Sequence, residues 1–202
     1  MLFDEFLTLE AACEAEIKVK GSKFLGHAAP VETKTTAEAF IAAISKQYHE
    51  ATHNCFAYRI GLADKIVFRF SDEGEPPGTA GAPIYNVIES RKLRNIAIVV
   101  TRYFGGTKLG KGGLIRAYSE CTRRTLARAS IIKKYIYTPL ILIFPYKLTG
   151  DVMRIVSRMN ANVLESSYGN EVKLKLKIRK SLECAFSEAV KDATRGNVQI
   201  QN

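Results

Sequence analysis

The segment 101–113 (T-R-Y-F-G-G-T-K-L-G-K-G-G) constrains this chain most: an apolar run stops, five glycines follow, and a helical pattern begins. Residues 95–100 (N-I-A-I-V-V) form the short continuous apolar run of a strand buried on both faces. From 114 to 129, Leu114, Tyr118, Cys121 and Thr125 recur at helical spacing. The glycines therefore join a strand end to a helix start. Glycine accepts positive φ and permits close backbone approach, and a helix N-terminus presents unpaired N–H groups with a partial positive charge. Arg102, Lys108, Lys111 and Arg116 add full charges around Gly105, Gly106 and Gly112. This combination predicts an anion site, with phosphate as the anion. The other reading is a tight turn whose glycines serve only packing. Neither G-x-x-x-x-G-K-[ST] nor a G-x-G-x-x-G after a first strand is present, so the common nucleotide motifs lend no support.

The net charge of +10 is unevenly placed. Residues 1–90 sum to −5, residues 91–134 to +11 and residues 135–202 to +4. Arg123 and Arg124 extend the basic cluster beyond the glycines, which predicts an electrostatic footprint for nucleic acid. A solvated helix face with Arg116, Glu120 and Arg124 at i,i+4 spacing is the alternative. With 202 residues of which 47% are hydrophobic, the chain is expected to fold into one globular domain or two small ones. Residues 1–16 hold five acidic side chains and no basic one, the reverse of a secretory leader, and no apolar run approaches the roughly 20 residues of a membrane helix. Cys13, Cys55, Cys121 and Cys184 form no C-x-x-C pair, so neither a zinc site nor a disulfide framework is expected, and a cytoplasmic location with free thiols is.

In chain order, residues 16–31 read as a bent strand or strand pair broken at Gly21, followed by a helix capped by Thr36 and running through Glu50. Residues 55–61 and 66–71 read as a hairpin with Asp64-Lys65 near its turn. Residues 72–83 (D-E-G-E-P-P-G-T-A-G-A-P) exclude a regular element, and Pro83 suits the first turn of a short helix ending near Ser90. Asp72, Glu73 and Glu75 there are either oxygen ligands for a hard cation or an acidic turn that salt-bridges the basic loop. His53 and Cys55 share a strand face, but no third group completes a nucleophilic arrangement, so packing of Cys55 is the favoured reading. Tyr103 and Phe104 either stack bases or are buried after the core strand.

Residues 136–202 read as βαββαβ, with helices over 151–159 and from a cap at Ser181 to Gly196. Val172, Leu174, Leu176 and Ile178 alternate with Lys173, Lys175, Lys177 and Arg179, giving one buried sheet face and one basic face. The order predicts a ferredoxin-like domain with both helices on one sheet face. The basic face lacks stacking aromatics at its own outward positions, so it suits phosphate contact, a subunit surface or plain solvation rather than base reading.

Three stretches, T-H-N-C-F-A-Y-R at 52–59, S-D-E-G-E-P-P-G-T-A-G-A-P at 71–83 and V-T-R-Y-F-G-G-T-K-L-G-K-G-G-L-I-R-A-Y at 100–118, strongly resemble the YigZ/IMPACT family. The resemblance spans about 16–130 and continues more weakly to the end, as in the bacterial two-domain branch. It implies an α+β chain. Residues 1–135 are expected to form a two-layer α/β domain shared with a ribosomal small-subunit protein, ribonuclease PH and domain IV of elongation factor G. Residues 136–202 are expected to resemble domain V of that factor. In the family, eukaryotic IMPACT proteins regulate translation through a kinase pathway using an additional N-terminal domain to which the resemblance does not extend. The function expected here is RNA or ribosome binding linked to translation, with no membrane partner, no cofactor, no resident metal and no complete catalytic set. The alternative is an enzyme on a phosphorylated or RNA substrate, with the glycine loop as phosphate cradle and Asp72, Glu73 or Glu75 as metal ligands or general base.

Overall fold

The computed structural model describes residues 4–62 and 65–201 and divides them into two compact α+β units. Asp64, expected near a hairpin turn, lies outside the described residues. The first unit, Phe6–Lys134, runs β1 (Glu5–Leu9), β2 (Cys13–Val19), β3 (Ser22–Pro30), α1 (Lys34–Gln47), β4 (His53–Ile60), β5 (Val67–Ser71), α2 (Gly81–Ser90), β6 (Ile96–Tyr103), α3 (Gly110–Ala127) and β7 (Ile131–Tyr135). Strands 2 to 6 form one antiparallel sheet in the order β2-β3-β6-β4-β5, and β1 pairs with β7.

β6 is central because both of its faces are apolar. Ile96, Ile98 and Val100 pack with Ile84, Ile88, Leu114 and Tyr118 of α2 and α3, while Ala97 and Val99 pack with Ala37, Phe40 and Ile44 of α1. Burying each of the valine, leucine, isoleucine and phenylalanine side chains among these contributes about 1.5–3 kcal/mol. The two-layer arrangement expected from the resemblance is thereby corrected to helices on both sheet faces. The cause lies in β4 and β6, whose alternate residues are apolar on either side: Cys55 and Ala57 meet α2 and α3, Phe56 and Tyr58 meet α1.

The cap of α1 lies three residues before the expected Thr36, and the helix ends at Gln47 rather than Glu50. Thr33 is the N-cap, its Oγ1 accepting the Thr36 N–H at 3.1 Å, and Thr36 closes a reciprocal capping box. Both threonines fit a cap, and the reciprocal bonds select the earlier one. β1 and β7 escaped the sequence reading because each is short and carries no clear alternation.

The second unit joins Asp4 and Glu5 to the described residues from Tyr135 onward. Its elements are β8 (Tyr137–Pro145), α4 (Thr149–Arg158), β9 (Asn162–Tyr168), β10 (Glu171–Arg179), α5 (Glu183–Ala193) and β11 (Gln199–Gln201), in the antiparallel order β11-β8-β10-β9. Val152, Ile155 and Val156 of α4 and Phe186 and Val190 of α5 cover one sheet face, packing on Leu142, Phe144, Val172, Leu174, Leu176 and Ile178. Ser181 does not cap α5, which begins after a 3-10 turn with Leu182 at the cap position. Its hydroxyl and its N–H donate to Asp4 instead.

Asp4 also takes two hydrogen bonds from Arg179, from Nε at 3.1 Å and Nη2 at 2.9 Å. These bonds hold its carboxyl well below the ordinary carboxylate range, against the opposing effect of burial and with help from Ser181. A carboxyl lowered in the folded state stabilises fully above its unfolded pKa and loses that contribution as pH falls through the folded value. Asp4→Asn is therefore expected to lower the thermal midpoint at pH 7, with the gap to wild type narrowing below about pH 3.8; melting curves across pH check this.

Candidate nucleic-acid interface at the start of α3

The glycine segment does two structural jobs before any ligand is considered. Gly105 lies against the β2–β3 turn so closely that an added Cβ would fall 1.8 Å from the Gly21 carbonyl carbon, so its backbone requires a glycine for packing. Gly106 and Gly110 adopt positive φ, +85° and +68°, with open space around them. Gly110, Gly112 and Gly113 belong to the first turns of α3 rather than to a loop, so the exposed loop is shorter than the sequence suggested. Two hydroxyls pin it: Thr52 Oγ1 accepts the Phe104 N–H at 3.0 Å and Ser22 Oγ accepts the Gly105 N–H at 3.2 Å.

Arg102 is not a free phosphate ligand. Its side chain is 6% exposed and donates from Nη1 to Glu75 Oε1 at 2.6 Å and from Nη2 to Ser22 Oγ at 3.3 Å, with Cζ 5.4 Å from the Phe24 ring and 5.7 Å from the Phe104 ring. The same Glu75 oxygen accepts the Tyr118 hydroxyl at 2.8 Å, and its other oxygen faces His53 Nε2 at 3.9 Å. His53 Nδ1 points at the Glu73 carbonyl at 2.8 Å and so carries the proton in that contact. Burial, with the neighbouring Cys55 and Glu75, keeps Tyr118 protonated and donating.

The three acidic residues of the 72–80 turn have separate partners. Asp72 accepts the N–H groups of Gly78, Ala80 and Gly81 at 2.8–2.9 Å. Burial alone would raise its pKa, and these three bonds carry it below the ordinary value instead. Glu73 accepts from Ser71, and Glu75 from Arg102. The carboxylates diverge into local bonds instead of converging on one point, and Glu75 alone of the three salt-bridges a cation, Arg102 of β6, while Asp72 and Glu73 bond backbone amides and a serine hydroxyl. Cys55 is fully buried, its thiol pushed up to about 12 by burial and held 2.9 Å from the Asp72 carbonyl, so it packs rather than attacks.

Around this pair lies a cavity of about 310 Å³ lined by Glu75, Pro76, Arg102, Phe104, Lys108, Leu109, Lys111 and Leu114. Phe104 is 48% exposed at its edge, whereas Tyr103 is half-buried. The N-terminus of α3 has no side-chain cap, and Lys108, Lys111 and Arg116 are exposed with no carboxylate partner among the described residues. Arg123 and Arg124 point elsewhere, both bonded to Glu120 at 3.2 and 2.8 Å. The expected basic track is thus reduced to three cations at the first turns of α3.

The second basic face is also largely occupied. Lys175 pairs with Glu165 at 2.6 Å, Lys177 lies 5.0 Å from the Tyr137 ring, and Arg179 holds Asp4 with Cζ 3.9 Å from the Tyr135 ring. Lys173 is exposed. Ser22, Thr52 and Tyr118 are not evident as site residues in the sequence, because their partners Arg102, Phe104 and Glu75 lie 80, 52 and 43 residues away and leave no local signal. Arg102→Ala, which strands the Glu75 carboxylate in the interior, is expected to cost about 3–5 kcal/mol of stability, measured by denaturant unfolding.

Comparison with known proteins agrees with both units. The model of the Impact N-terminal domain matches residues 20–126, and a domain of unknown function, DUF1949, matches residues 142–197. The IMPACT family member YvyE of Bacillus subtilis is 35% identical over 200 residues, covering 99% of this chain and 92% of its own. Protein IMPACT of Oryctolagus cuniculus is 31% identical over 120 residues, 58% of this chain but 36% of that protein. A crystal structure of a hypothetical protein superposes with a TM-score of 0.71 at 27% identity, covering 98% of this chain and 97% of that one. Residues 100–118, from the last buried part of β6 through the uncapped start of α3, fall within the first matched domain, and the chain belongs to the IMPACT family.

Proposed function

We propose that the chain is an RNA-binding protein linked to translation in the cytoplasm, gripping the phosphate backbone at the start of α3. The observation that carries the reading is the set of three exposed cations, Lys108, Lys111 and Arg116, without a carboxylate partner among the described residues, in the first turns of an 18-residue helix with no side-chain N-cap and beside an exposed Phe104. Cations and free amides supply sequence-independent phosphate affinity, and an exposed ring offers a stacking surface for a base. Family membership supports the link to translation, since the eukaryotic relatives regulate it. The element order βαββαβ with strand order β11-β8-β10-β9 supports a ferredoxin-like second domain resembling domain V of elongation factor G. The ribosome is accordingly the natural place to look for the RNA.

An enzyme acting on a phosphorylated substrate is the second reading, favoured by the presence of a cavity rather than a flat basic surface. It is the weaker one because Glu75, the carboxylate at the cavity, already accepts from Arg102 and Tyr118.

Six phosphate contacts, the number of basic side chains around and beyond the glycines, would give a log–log salt slope of about −4 to −5. Three free cations give about −2 on single-stranded RNA. Titration of a fluorescent single-stranded RNA at several salt concentrations is expected to show that slope. Lys108→Ala with Lys111→Ala is expected to bring it to about −0.7 without unfolding the protein. Binding that is unaffected by the double substitution would contradict the site.

A further inference from the structure

We propose that the cavity at the start of α3 takes a terminal phosphomonoester, the 5′-phosphorylated end of a single strand, rather than an internal phosphodiester. The inference rests on the RNA-binding reading and narrows it to a class of end. Its starting point is where the charge is not. Arg123 and Arg124 are spent on Glu120, and Arg102 on Glu75, so no basic track leads along α3 for a continuing backbone. Two of the three free cations at the start of α3, Lys108 and Lys111, line one cavity together with Leu109 and Gly110, where α3 begins without a side-chain cap. Arg102 lines it too, and its buried Nε–H makes no hydrogen bond among the described residues.

A phosphomonoester suits this concentration of donors better than a diester does. It carries a charge of about −1.5 to −2 at neutral pH and three acceptor oxygens, where a diester carries one charge and two free oxygens. Several converging donors are wasted on the second and filled by the first. Size points the same way. About 310 Å³ is at the small end of ligand cavities, enough for one nucleotide's phosphate and sugar, and Phe104 stands half-exposed at the edge where the first base would lie. The charge of the Glu75 carboxylate is offset by the Arg102 guanidinium paired with it, so Lys108 and Lys111 leave the cavity lining net positive.

The test compares the same single-stranded RNA with a 5′-phosphate and with a 5′-hydroxyl, and adds AMP as a competitor, using the full-length protein. The expected result is binding of the phosphorylated strand at least about tenfold tighter, equivalent to about 1.4 kcal/mol. The preference should vanish in Lys108→Ala with Lys111→Ala, whose exposed side chains leave the circular dichroism spectrum unchanged, and AMP should compete. Phe104→Ala is expected to weaken AMP binding while leaving inorganic phosphate binding intact. Equal affinity for the two strands would overturn the inference and leave the RNA-binding reading standing. Failure of both strands and of AMP would overturn both. Binding of AMP without either strand would keep the phosphomonoester site and replace the RNA end by a free nucleotide as its source.

Discussion

The ion pair between Glu75 and Arg102 is the interaction on which the rest of the first unit's functional end depends. It ties the 72–80 turn to the last residues of β6 at 2.6 Å, in a place where both side chains are almost wholly buried. Two charges so placed are stable only while each has the other, and the extra bonds from Ser22 and Tyr118 complete the shell. Through Ser22 the pair also reaches the Gly105 amide, and through Tyr118 it reaches α3. The loop, the turn and α3 are therefore tied together by one small network.

That network changes the meaning of the surrounding charge. A formal excess of +11 over residues 91–134 suggests a broad nucleic-acid footprint. In the folded chain the excess is thinned by specific partners: Arg102 by Glu75, Arg123 and Arg124 by Glu120, and Lys134 by Glu32. Exposed pairs such as those of Glu120 add little stability, yet they decide which cations remain for a ligand. Three at the start of α3 do. Net charge describes long-range attraction, whereas the location of unpaired charge describes where contact is made.

Much of the fold was legible in the sequence where a short-range signal exists. The alternation of Val172 to Arg179 gave β10 and its two faces, Pro83 marked the first turn of α2, and the apolar run 95–100 marked β6 as a strand buried on both sides. Less was legible where long-range partners decide. Thr33 rather than Thr36 caps α1 because of a reciprocal bond between them, and Ser181 turns from a helix cap to Asp4, 177 residues away. The three-layer first unit follows from the same buried run, since apolar faces on both sides of β6 demand a helix on each, whereas the two-layer expectation came from the resemblance. At the site, the glycines and lysines were visible, but the burial of Arg102 was not, because Glu75 and Ser22 lie 27 and 80 residues from it. The necessity of Gly105 is likewise a contact with Gly21, not a feature of its own loop.

The central claim is that phosphate is recognised by the first turns of α3 and by nothing comparable on the basic face of β10. Amide chemical-shift mapping with a 5′-phosphorylated dinucleotide tests it most directly. The account predicts perturbations concentrated on the amides of Phe104 through Leu114, together with Glu75 and Tyr118. Perturbations centred on Lys173 to Arg179, with residues 104–114 unmoved, would contradict it.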